Sequence, residues 1–406
     1  MIHEYDACLK CTVCEMHCPV LRVAPEFPGP KNGGPGLARL RAAGEVVELD
    51  HLDLCLGCRT CDTVCPSGIR PAELVNAPKV AQVSRRGLPL REWVLTHTYL
   101  FGPLAVRMPG LVNGVLANGP IRWTMEKVLH IDRHKPMPKY ANHSFREWFR
   151  RRRSPWQDRP APNGRVVYFH GCSVQYMEPH IGRHVVEVLE HNGFEVVLPP
   201  QKCCGLPLIA NGDLKSAAGN GRYNVQHLRE WAAQGVPIVV SSTSCSLTLK
   251  HDYPGLLGLD GAGAVAEQVY DLFEFLMACH EQGLLRTDFR PIRERLPYHQ
   301  PCHQRAQAIG LPAVELLNLI PGVEAWNLDA GCCGSAGTYG FKEEKYGVSM
   351  RVGQAMADAL RASGASRAVS DCETCRWQIE YQAGMQAVHP VSVLWGAYGL
   401  GDRKGT

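Results

Sequence analysis

The sequence lacks the features that mark several large classes of protein. No stretch of 18 uncharged apolar residues occurs in its 406 residues, so we expect no conventional membrane-spanning helix. A formal net charge of +4 is too small to indicate a nucleic-acid-binding protein. Neither a G-x-G-x-x-G segment at a helix start nor a Walker A loop is present, so we expect no flavin, nicotinamide or ATP site. The first eight residues show no secretory leader, which favours a reducing compartment and metal ligation over disulfides.

Cysteine, by contrast, is abundant, with 18 residues in the chain. Two runs of four have the spacing C-x2-C-x2-C-x3-C followed by proline, which is the run of bacterial two-cluster ferredoxins. Because the fourth thiolate of each run points away from the other three, we predict that it ligates the other cluster. Two structural zinc sites would not explain the prolines. The predicted ligands are Cys8, Cys11, Cys14 and Cys65 for one [4Fe-4S] cubane (cluster 1), and Cys55, Cys58, Cys61 and Cys18 for the other (cluster 2).

The second half of the chain contains an internal repeat. From residue 165 onward, strand-like apolar runs alternate with helical patterns, which predicts parallel βαβ packing. Three cysteine positions recur at offsets of 130, 129 and 130 residues, which indicates a duplication. The first copy offers the thiols of Cys172, Cys203, Cys204 and Cys245, and the second offers those of Cys302, Cys332, Cys333, Cys372 and Cys375.

The two copies are not equal, because Ser242 occupies the place of Cys372 in the first. Five thiolates with an adjacent pair suit an opened, non-cubane iron–sulfur cluster in the second copy. Four thiolates in the first copy suit either a similar cluster or a tetrahedral Zn²⁺. Gly205 and Gly334 follow the adjacent cysteines, where we expect the backbone to pass close to a metal centre.

A few further residues lie near the predicted ligands. Three histidines flank them and either hydrogen-bond cluster sulfurs, relay protons to a quinone or are satisfied in the core: His170, His299 and His303. Tyr339, Lys342 and Glu380 are polar candidates for tuning the second site. Cys279 lies in an apolar helical stretch and is predicted to be a buried small residue without a metal.

Long strings around these motifs resemble the paired-CCG family, which includes the B subunit of heterodisulfide reductase and the glycolate oxidase iron–sulfur subunit. Within it, they are most similar to the C subunit of anaerobic glycerol-3-phosphate dehydrogenases, over nearly the whole chain. The resemblance implies flavin-containing dehydrogenase subunits as partners, a quinone as electron acceptor and a peripheral position on the cytoplasmic face of the cell membrane. The strings are residues 27–35, 169–172, 202–212, 332–342 and 371–380.

The predicted function is therefore that of an electron-transfer subunit in an anaerobic glycerol-3-phosphate:quinone oxidoreductase, with no catalytic residue of its own. Two alternatives stay open within the resemblance. One is the iron–sulfur subunit of a glycolate or lactate oxidising complex. The other is a catalytic subunit whose five-cysteine site reduces a disulfide or another sulfur substrate. A scaffold with structural zinc is a third reading of the CCG copies.

The composition, with 45% apolar and 20% charged residues, allows several packed domains. We predict an α-helical, ferredoxin-like two-cluster domain (1–87), a helical connector (88–164) and two α/β CCG domains (165–290 and 291–406). In the connector, residues 99–118 are apolar and have aromatic flanks. They either pack between domains, face a partner or lie in the headgroup layer of a membrane. Arginines at 146 and 150–153 form a basic cluster able to attract anionic lipid.

Overall fold

The computed structural model describes residues 4–402. Residues 1–3, which belong to the segment searched for a leader, and residues 403–406 lie outside the described residues. Two parallel sheets of four strands each, surrounded by helices, make up the second half of the chain. The elements between residues 4 and 151 are all helices. The alternation of strands and helices predicted from residue 165 onward is therefore confirmed.

The first sheet has the order β2-β1-β3-β4, with every neighbouring pair parallel. Four of the five residues of β1 are buried, as expected for a central strand covered by helices on both faces. The strands are β1 (Arg165–Phe169), β2 (Glu195–Val197), β3 (Ile238–Val240) and β4 (Val269–Asp271). The helices are Gly171–Tyr176, Pro179–His191, Leu206–Ala210, Leu214–Ala233, Thr243–Leu247, the π-helical Thr248–Leu256, Ala262–Ala266 and Leu272–Glu281.

The second sheet repeats this topology, with the order β6-β5-β7-β8 and parallel pairing throughout. The strands are β5 (Glu294–Tyr298), β6 (Val323–Asn327), β7 (Arg367–Val369) and β8 (Gln386–Val388). The helices are Cys302–Arg305, Pro312–Leu317, the 3-10 turn Tyr339–Phe341, Glu343–Ala362, Glu373–Gln378, the π-helical Ile379–Ala383, Pro390–Ala397 and the 3-10 turn Leu400–Asp402. The matching strand order is what a duplication requires.

The two sheet units share one apolar core. Tyr168 of β1 and Tyr298 of β5 are both fully buried in it. A buried ion pair also crosses between the units, where the guanidinium of Arg376 lies 2.6 Å from the carboxylate of Glu178. In both units, predicted ligands follow the carboxyl ends of the central strands, where open parallel sheets usually bind ligands.

The N-terminal part and the connector are built from short helices. Cysteine-bearing loops separate those of the N-terminal part, so that apolar packing and thiols alternate along the chain. The N-terminal helices are Glu4–Ala7 (3-10), Val13–Met16, Gly29–Lys31, Asn32–Gly36 (π), Leu37–Ala42, Leu52–Leu54 (3-10), Thr60–Thr63 and Pro71–Arg86. The connector helices are Leu90–Thr96, Thr98–Ala105, Pro109–Ala117, Gly119–Leu129 and Phe145–Arg151.

Four connector helices carry most of the exposed large apolar side chains, and we call this the connector apolar surface. Ten of the fifteen such side chains among residues 4–402 lie here, namely Leu90, Trp93, Leu100, Phe101, Leu104, Met108, Leu111, Val115, Trp123 and Val128. Over residues 4–402, the structure contains no helix with the length and apolarity needed to cross a bilayer. Surface this apolar, in one segment, indicates a contact with lipid or protein.

The arginine cluster that follows differs from its predicted character. Arg152 is held by the buried carboxylate of Glu190 at 2.7 Å, and Arg153 lies 2.7 Å from Asp158. Arg151 pairs with Glu147 one helical turn away. Because nearby carboxylates pair with three of its five arginines, the cluster is less basic than its sequence indicates.

Candidate metal centres

The thiols of the predicted cluster 1 set surround one small cavity of about 20 Å³. The loop that carries them bends sharply, because Lys10 and Thr12 adopt left-handed backbone conformations with φ of 57° and 66°. Burial raises the pKa of the Cys14 thiol to about 11, with a smaller contribution from Glu15. A bound metal would reverse this, because it stabilises the thiolate. The four thiols are Cys8, Cys11, Cys14 and Cys65.

The thiols of the predicted cluster 2 set surround a second cavity of similar size. Cys18, the last cysteine of the first run, lies here with the first three thiols of the second run. Cys65 lies correspondingly with the first run. Burial is the main cause that raises the pKa of Cys61, followed by the charge of Asp62. This exchange of fourth thiols fits two four-thiolate centres, although the assignment of ligands to clusters stays a prediction.

The four predicted ligand cysteines of the first sheet unit lie in one row. Cys172 opens the helix after β1, and its sulfur lies 3.9 Å from that of Cys203. The Cys203 thiol in turn contacts Cys204, and Cys204 contacts Cys245 in the helix after β3. These contacts bring thiols from three loops at one edge of the sheet to a single place, as a metal centre requires.

The five cysteines of the second unit form a longer row. The sulfurs of Cys333 and Cys375 lie 3.2 Å apart. Cys302 and Cys372 extend the row at its two ends, through Cys332 and Cys375 respectively. The pKa of Cys375 lies well above its ordinary value, because its proton is held against the Cys333 thiol and because it is buried. So many converging thiols fit a metal centre with thiolate ligands.

One cavity of about 210 Å³ joins these sites. All nine predicted ligand cysteines of the two sheet units line it, together with Cys55 and Cys58 of the cluster 2 set. The thiols of Cys58 and Cys302 contact each other. Both residues also border the same apolar core, separate from the one that holds the cysteines of the first unit. The cluster 2 set therefore lies directly beside the second unit's site.

Two side chains at these sites escape detection in the sequence. Glu373 belongs to the second unit, yet its carboxylate accepts a hydrogen bond of 3.0 Å from the hydroxyl of Ser242 in the first. Its negative charge also acts on the thiols of Cys172 and Cys245. Lys135 of the connector lies near the second site, and burial lowers its pKa to about 8. The sequence signal at this place is the serine at 242, which stands where the second copy has Cys372.

The structure agrees with some of the remaining predicted roles and not with others. Tyr339 and Lys342 line the shared cavity and hold the units together, since Tyr339 donates to the Leu54 carbonyl at 3.0 Å. Glu380 is exposed and accepts from the backbone of Ala387, so it does not tune the second site. Cys279 is buried in the apolar core, which confirms its prediction.

Two of the three predicted histidines, His303 and His170, differ in their surroundings. His303 lies between the Ser244 hydroxyl at 2.9 Å and the Gly57 carbonyl at 3.3 Å, and so it joins both units to the cluster 2 loop. Burial lowers the pKa of His170 to about 3, with a further contribution from the charge of Arg146. His170 is therefore neutral at physiological pH.

Gly334 makes two close backbone approaches. Its N–H lies 3.4 Å from the sulfur of Cys332, so the backbone passes close to the predicted ligands, as expected. Its φ is +78°, and a Cβ at this position would overlap the Ser349 carbonyl oxygen in the neighbouring helix Glu343–Ala362. The helix therefore adds a second close approach to the one at the Cys332 sulfur. The glycine lets the Cys332–Cys333 loop lie flat against that helix.

We expect Gly334→Ala to destabilise the second unit by about 3 kcal/mol or more, because it combines left-handed strain with steric overlap. Gly331→Ala is the matched control: φ there is +81°, but nothing lies within 4 Å of the added Cβ. This control should cost only about 1 kcal/mol. Thermal unfolding of the anaerobically purified chain measures both. Equal midpoints for the two variants would show that the overlap is relieved without cost.

Comparison with known proteins agrees with these sites. Residues 4–69 match the 4Fe-4S dicluster domain family, and residues 166–250 and 296–380 match the cysteine-rich CCG domain family. The chain is therefore an iron–sulfur protein that combines a dicluster domain with two CCG domains. We use "first CCG site" and "second CCG site" for the two rows of cysteines described above.

Relatives narrow this class. The chain is 35% identical to the C subunit of the anaerobic glycerol-3-phosphate dehydrogenase of Escherichia coli K12, over 96% of this chain and 98% of that protein. It is 28% identical to the B subunit of the fumarate reductase (CoM/CoB) of Methanothermobacter marburgensis, over 95% of this chain and 70% of that protein. It is also 28% identical to the glycolate oxidase iron–sulfur subunit of E. coli K12, over 82% of this chain and 80% of that protein. The chain belongs to the family of anaerobic glycerol-3-phosphate dehydrogenase C subunits.

Proposed function

We propose that the chain carries electrons from flavin-containing glycerol-3-phosphate dehydrogenase subunits to the quinone pool, and that it tethers this complex to the cytoplasmic face of the cell membrane. The observation that carries the proposal is the contact between the thiols of Cys58 and Cys302. Because electron transfer falls steeply with distance, a direct contact between the N-terminal and CCG thiol sets supports a continuous route. The family relationship supports glycerol 3-phosphate as the source of the electrons.

In this proposal, the two N-terminal cavities hold [4Fe-4S] cubanes through the two predicted four-thiol sets, and the five thiols of the second CCG site hold a non-cubane iron–sulfur cluster. These clusters supply one-electron chemistry when bound. Positive side chains offset their negative charge. Arg59, next to Cys58, forms an ion pair with Asp252 of the first CCG unit, and Lys79 lies near Cys55.

The first CCG site accepts either an iron–sulfur cluster or Zn²⁺ in the proposal. Its four thiols suit both. The carboxylate of Glu373 next to Cys172 and Cys245 adds an oxygen donor from the second unit. Metal analysis distinguishes an iron–sulfur cluster from Zn²⁺ at this site. If zinc is found in a one-to-one ratio with the chain, the second CCG site is the last redox centre of the route.

The connector apolar surface supports the tether. Residues 98–121 contain a single charged residue, Arg107, and Trp93 and Trp123 lie at either end. Short apolar helices with exposed aromatic flanks suit insertion into one leaflet. The helix Thr98–Ala105 also packs against the first CCG unit, because Gly102 lies on the ring of Tyr176. This brings a lipid-soluble acceptor close to the first CCG site.

A second candidate function is reduction of a disulfide or another sulfur substrate. The placement of both CCG sites around one cavity favours it, since a substrate bound beside one site would also lie near the other. A relative named as part of a fumarate reductase (CoM/CoB) agrees with this. The two functions differ in what reoxidises the reduced chain.

The test uses the chain purified anaerobically with the dehydrogenase subunits that accompany it. We expect sn-glycerol 3-phosphate to bleach the iron–sulfur absorbance and a menaquinone analogue to restore it. Bleaching only by glycolate or D-lactate would move the chain to a 2-hydroxy-acid complex. Reoxidation by a disulfide but not by the quinone would favour the second candidate.

A further inference from the structure

The ring of His299 occupies a fixed place at the second CCG site. The residue follows β5 directly and is only 1% exposed. Its backbone N–H donates to the Val369 carbonyl at 2.9 Å, and its carbonyl accepts from the Ser370 hydroxyl at 2.9 Å. Because the end of β7 holds the backbone and the side chain is buried, the ring has little freedom to turn away.

A ring nitrogen of His299 lies among the cysteine sulfurs. It is within 4.8 Å of the sulfurs of both Cys333 and Cys375. Nε2 is buried and makes no hydrogen bond of regular geometry among residues 4–402, and the Cys333 thiol is a neighbour that interacts with the ring. Buried polar groups without well-formed hydrogen bonds are rare and costly, so this imidazole nitrogen indicates a partner that arrives with the metal centre.

The corresponding histidine of the first unit, His170, lacks this freedom. Its Nδ1–H donates to the Gly171 carbonyl at 2.6 Å, and its Nε2 faces the Nε–H of Arg146 at 3.4 Å. Its ring packs edge-on against Phe145 with the ring centres 5.2 Å apart. Both nitrogens are therefore engaged, and the first CCG site has no histidine donor of this kind.

We propose that His299 is a positioning residue of the second CCG site, donating a ring N–H to a cysteine thiolate there and raising the reduction potential of the bound cluster. The inference rests on the proposed iron–sulfur cluster at this site. A hydrogen bond to a ligating sulfur withdraws negative charge from it, which favours the reduced form. The same bond satisfies the buried nitrogen. The effect on the potential then comes from one side chain that is available in this way only in the second unit.

The experiment compares the intact chain with His299→Leu, His299→Gln and His170→Leu, all purified anaerobically. Redox titration followed by EPR gives the potential of the second CCG signal, which Cys332→Ser identifies by removing it. We expect His299→Leu to shift that potential to more negative values without changing the two N-terminal signals. His299→Gln should restore part of the shift, because its amide N–H₂ can replace the donor. His170→Leu should leave the second CCG potential unchanged.

Pulsed EPR with ¹⁵N-histidine labelling provides a readout that a purely structural role would not move. We expect a weak nitrogen coupling to the second CCG signal, absent from His299→Leu. A strong coupling, as for nitrogen bound directly to iron, would overturn the hydrogen bond. So would an unchanged potential in a His299→Leu chain that retains its iron.

Two further outcomes also decide the matter. If His299→Leu loses its iron, the potential of the second CCG signal in His299→Gln is used instead to test the inference. A potential close to that of the unaltered chain, together with the weak nitrogen coupling in the unaltered chain, supports the inference. Absence of that coupling from the unaltered chain overturns it. Absence of any third iron–sulfur signal in the unaltered chain would instead contradict the proposed cluster itself.

Discussion

Cys332→Ser is expected to remove the second CCG signal and leave both N-terminal signals in place. The Cys332 thiol lies in the middle of the row between Cys302 and Cys333, and it is only 8% exposed. Serine offers a hydroxyl with a much higher pKa, so a central thiolate ligand is lost. In the proposed route, electrons from the dehydrogenase would then stop at the N-terminal clusters. Loss of a residue that only supports a metal ligand typically costs up to about a hundred-fold. Because Cys332 is a proposed ligand itself, quinone reduction should fall by at least that factor.

Two controls make this result specific. Cys203→Ser changes the equivalent position of the first CCG site, so it should alter that site's metal content and spare the second CCG signal. Cys279→Ser removes a buried thiol that lies in the apolar core, away from every thiol row. It should keep all iron. Iron and zinc analysis with EPR measures all three variants. Loss of every signal together in Cys332→Ser would contradict separate centres.

Much of this arrangement can be predicted from the sequence, because the determinants are local. The spacing within each N-terminal run limits which thiols reach one cavity, and the structure places Cys18 and Cys65 with the opposite runs. The duplication is visible because each CCG site uses loops that follow consecutive strands of its own sheet. The parallel sheets can be predicted from the alternation of strand-like and helical segments, which is also a local feature of the sequence.

The features that cannot be predicted from the sequence depend on contacts between parts of the chain that are distant in sequence. The Glu373 carboxylate reaches Ser242 across the interface of the two CCG units, and no local pattern connects them. His170 and His299 stand at equivalent positions, yet only the surroundings of His170 supply partners to both ring nitrogens. Arg152 reads as part of a basic cluster, whereas Glu190 of another helix neutralises it. Apolar residues in 99–118 are equally compatible with burial and with exposure until neighbouring helices are known.

Charge substitution on the connector apolar surface is expected to abolish membrane binding. Leu100, Leu104 and Leu111 are 53%, 63% and 60% exposed. Burying one leucine side chain contributes about 2 kcal/mol. Because these side chains are already partly buried, losing the burial of all three would cost about 4 kcal/mol, which is roughly three orders of magnitude in the binding constant. The triple glutamate variant should stay in the supernatant when vesicles of phosphatidylglycerol and phosphatidylethanolamine are sedimented, whereas the unaltered chain should sediment with them.

A matched triple variant tests whether the location matters or only the added negative charge. Leu40, Val46 and Leu319 are also exposed but lie outside the connector apolar surface. Their replacement by glutamate should leave sedimentation unchanged. The same preparations report on the dehydrogenase subunits through co-purification. Because the connector substitutions lie outside the cysteine loops, iron content should be unchanged in both variants. If the connector variant still sedimented with vesicles but lost the dehydrogenase, this surface would bind the partner, and the tether would have to lie elsewhere.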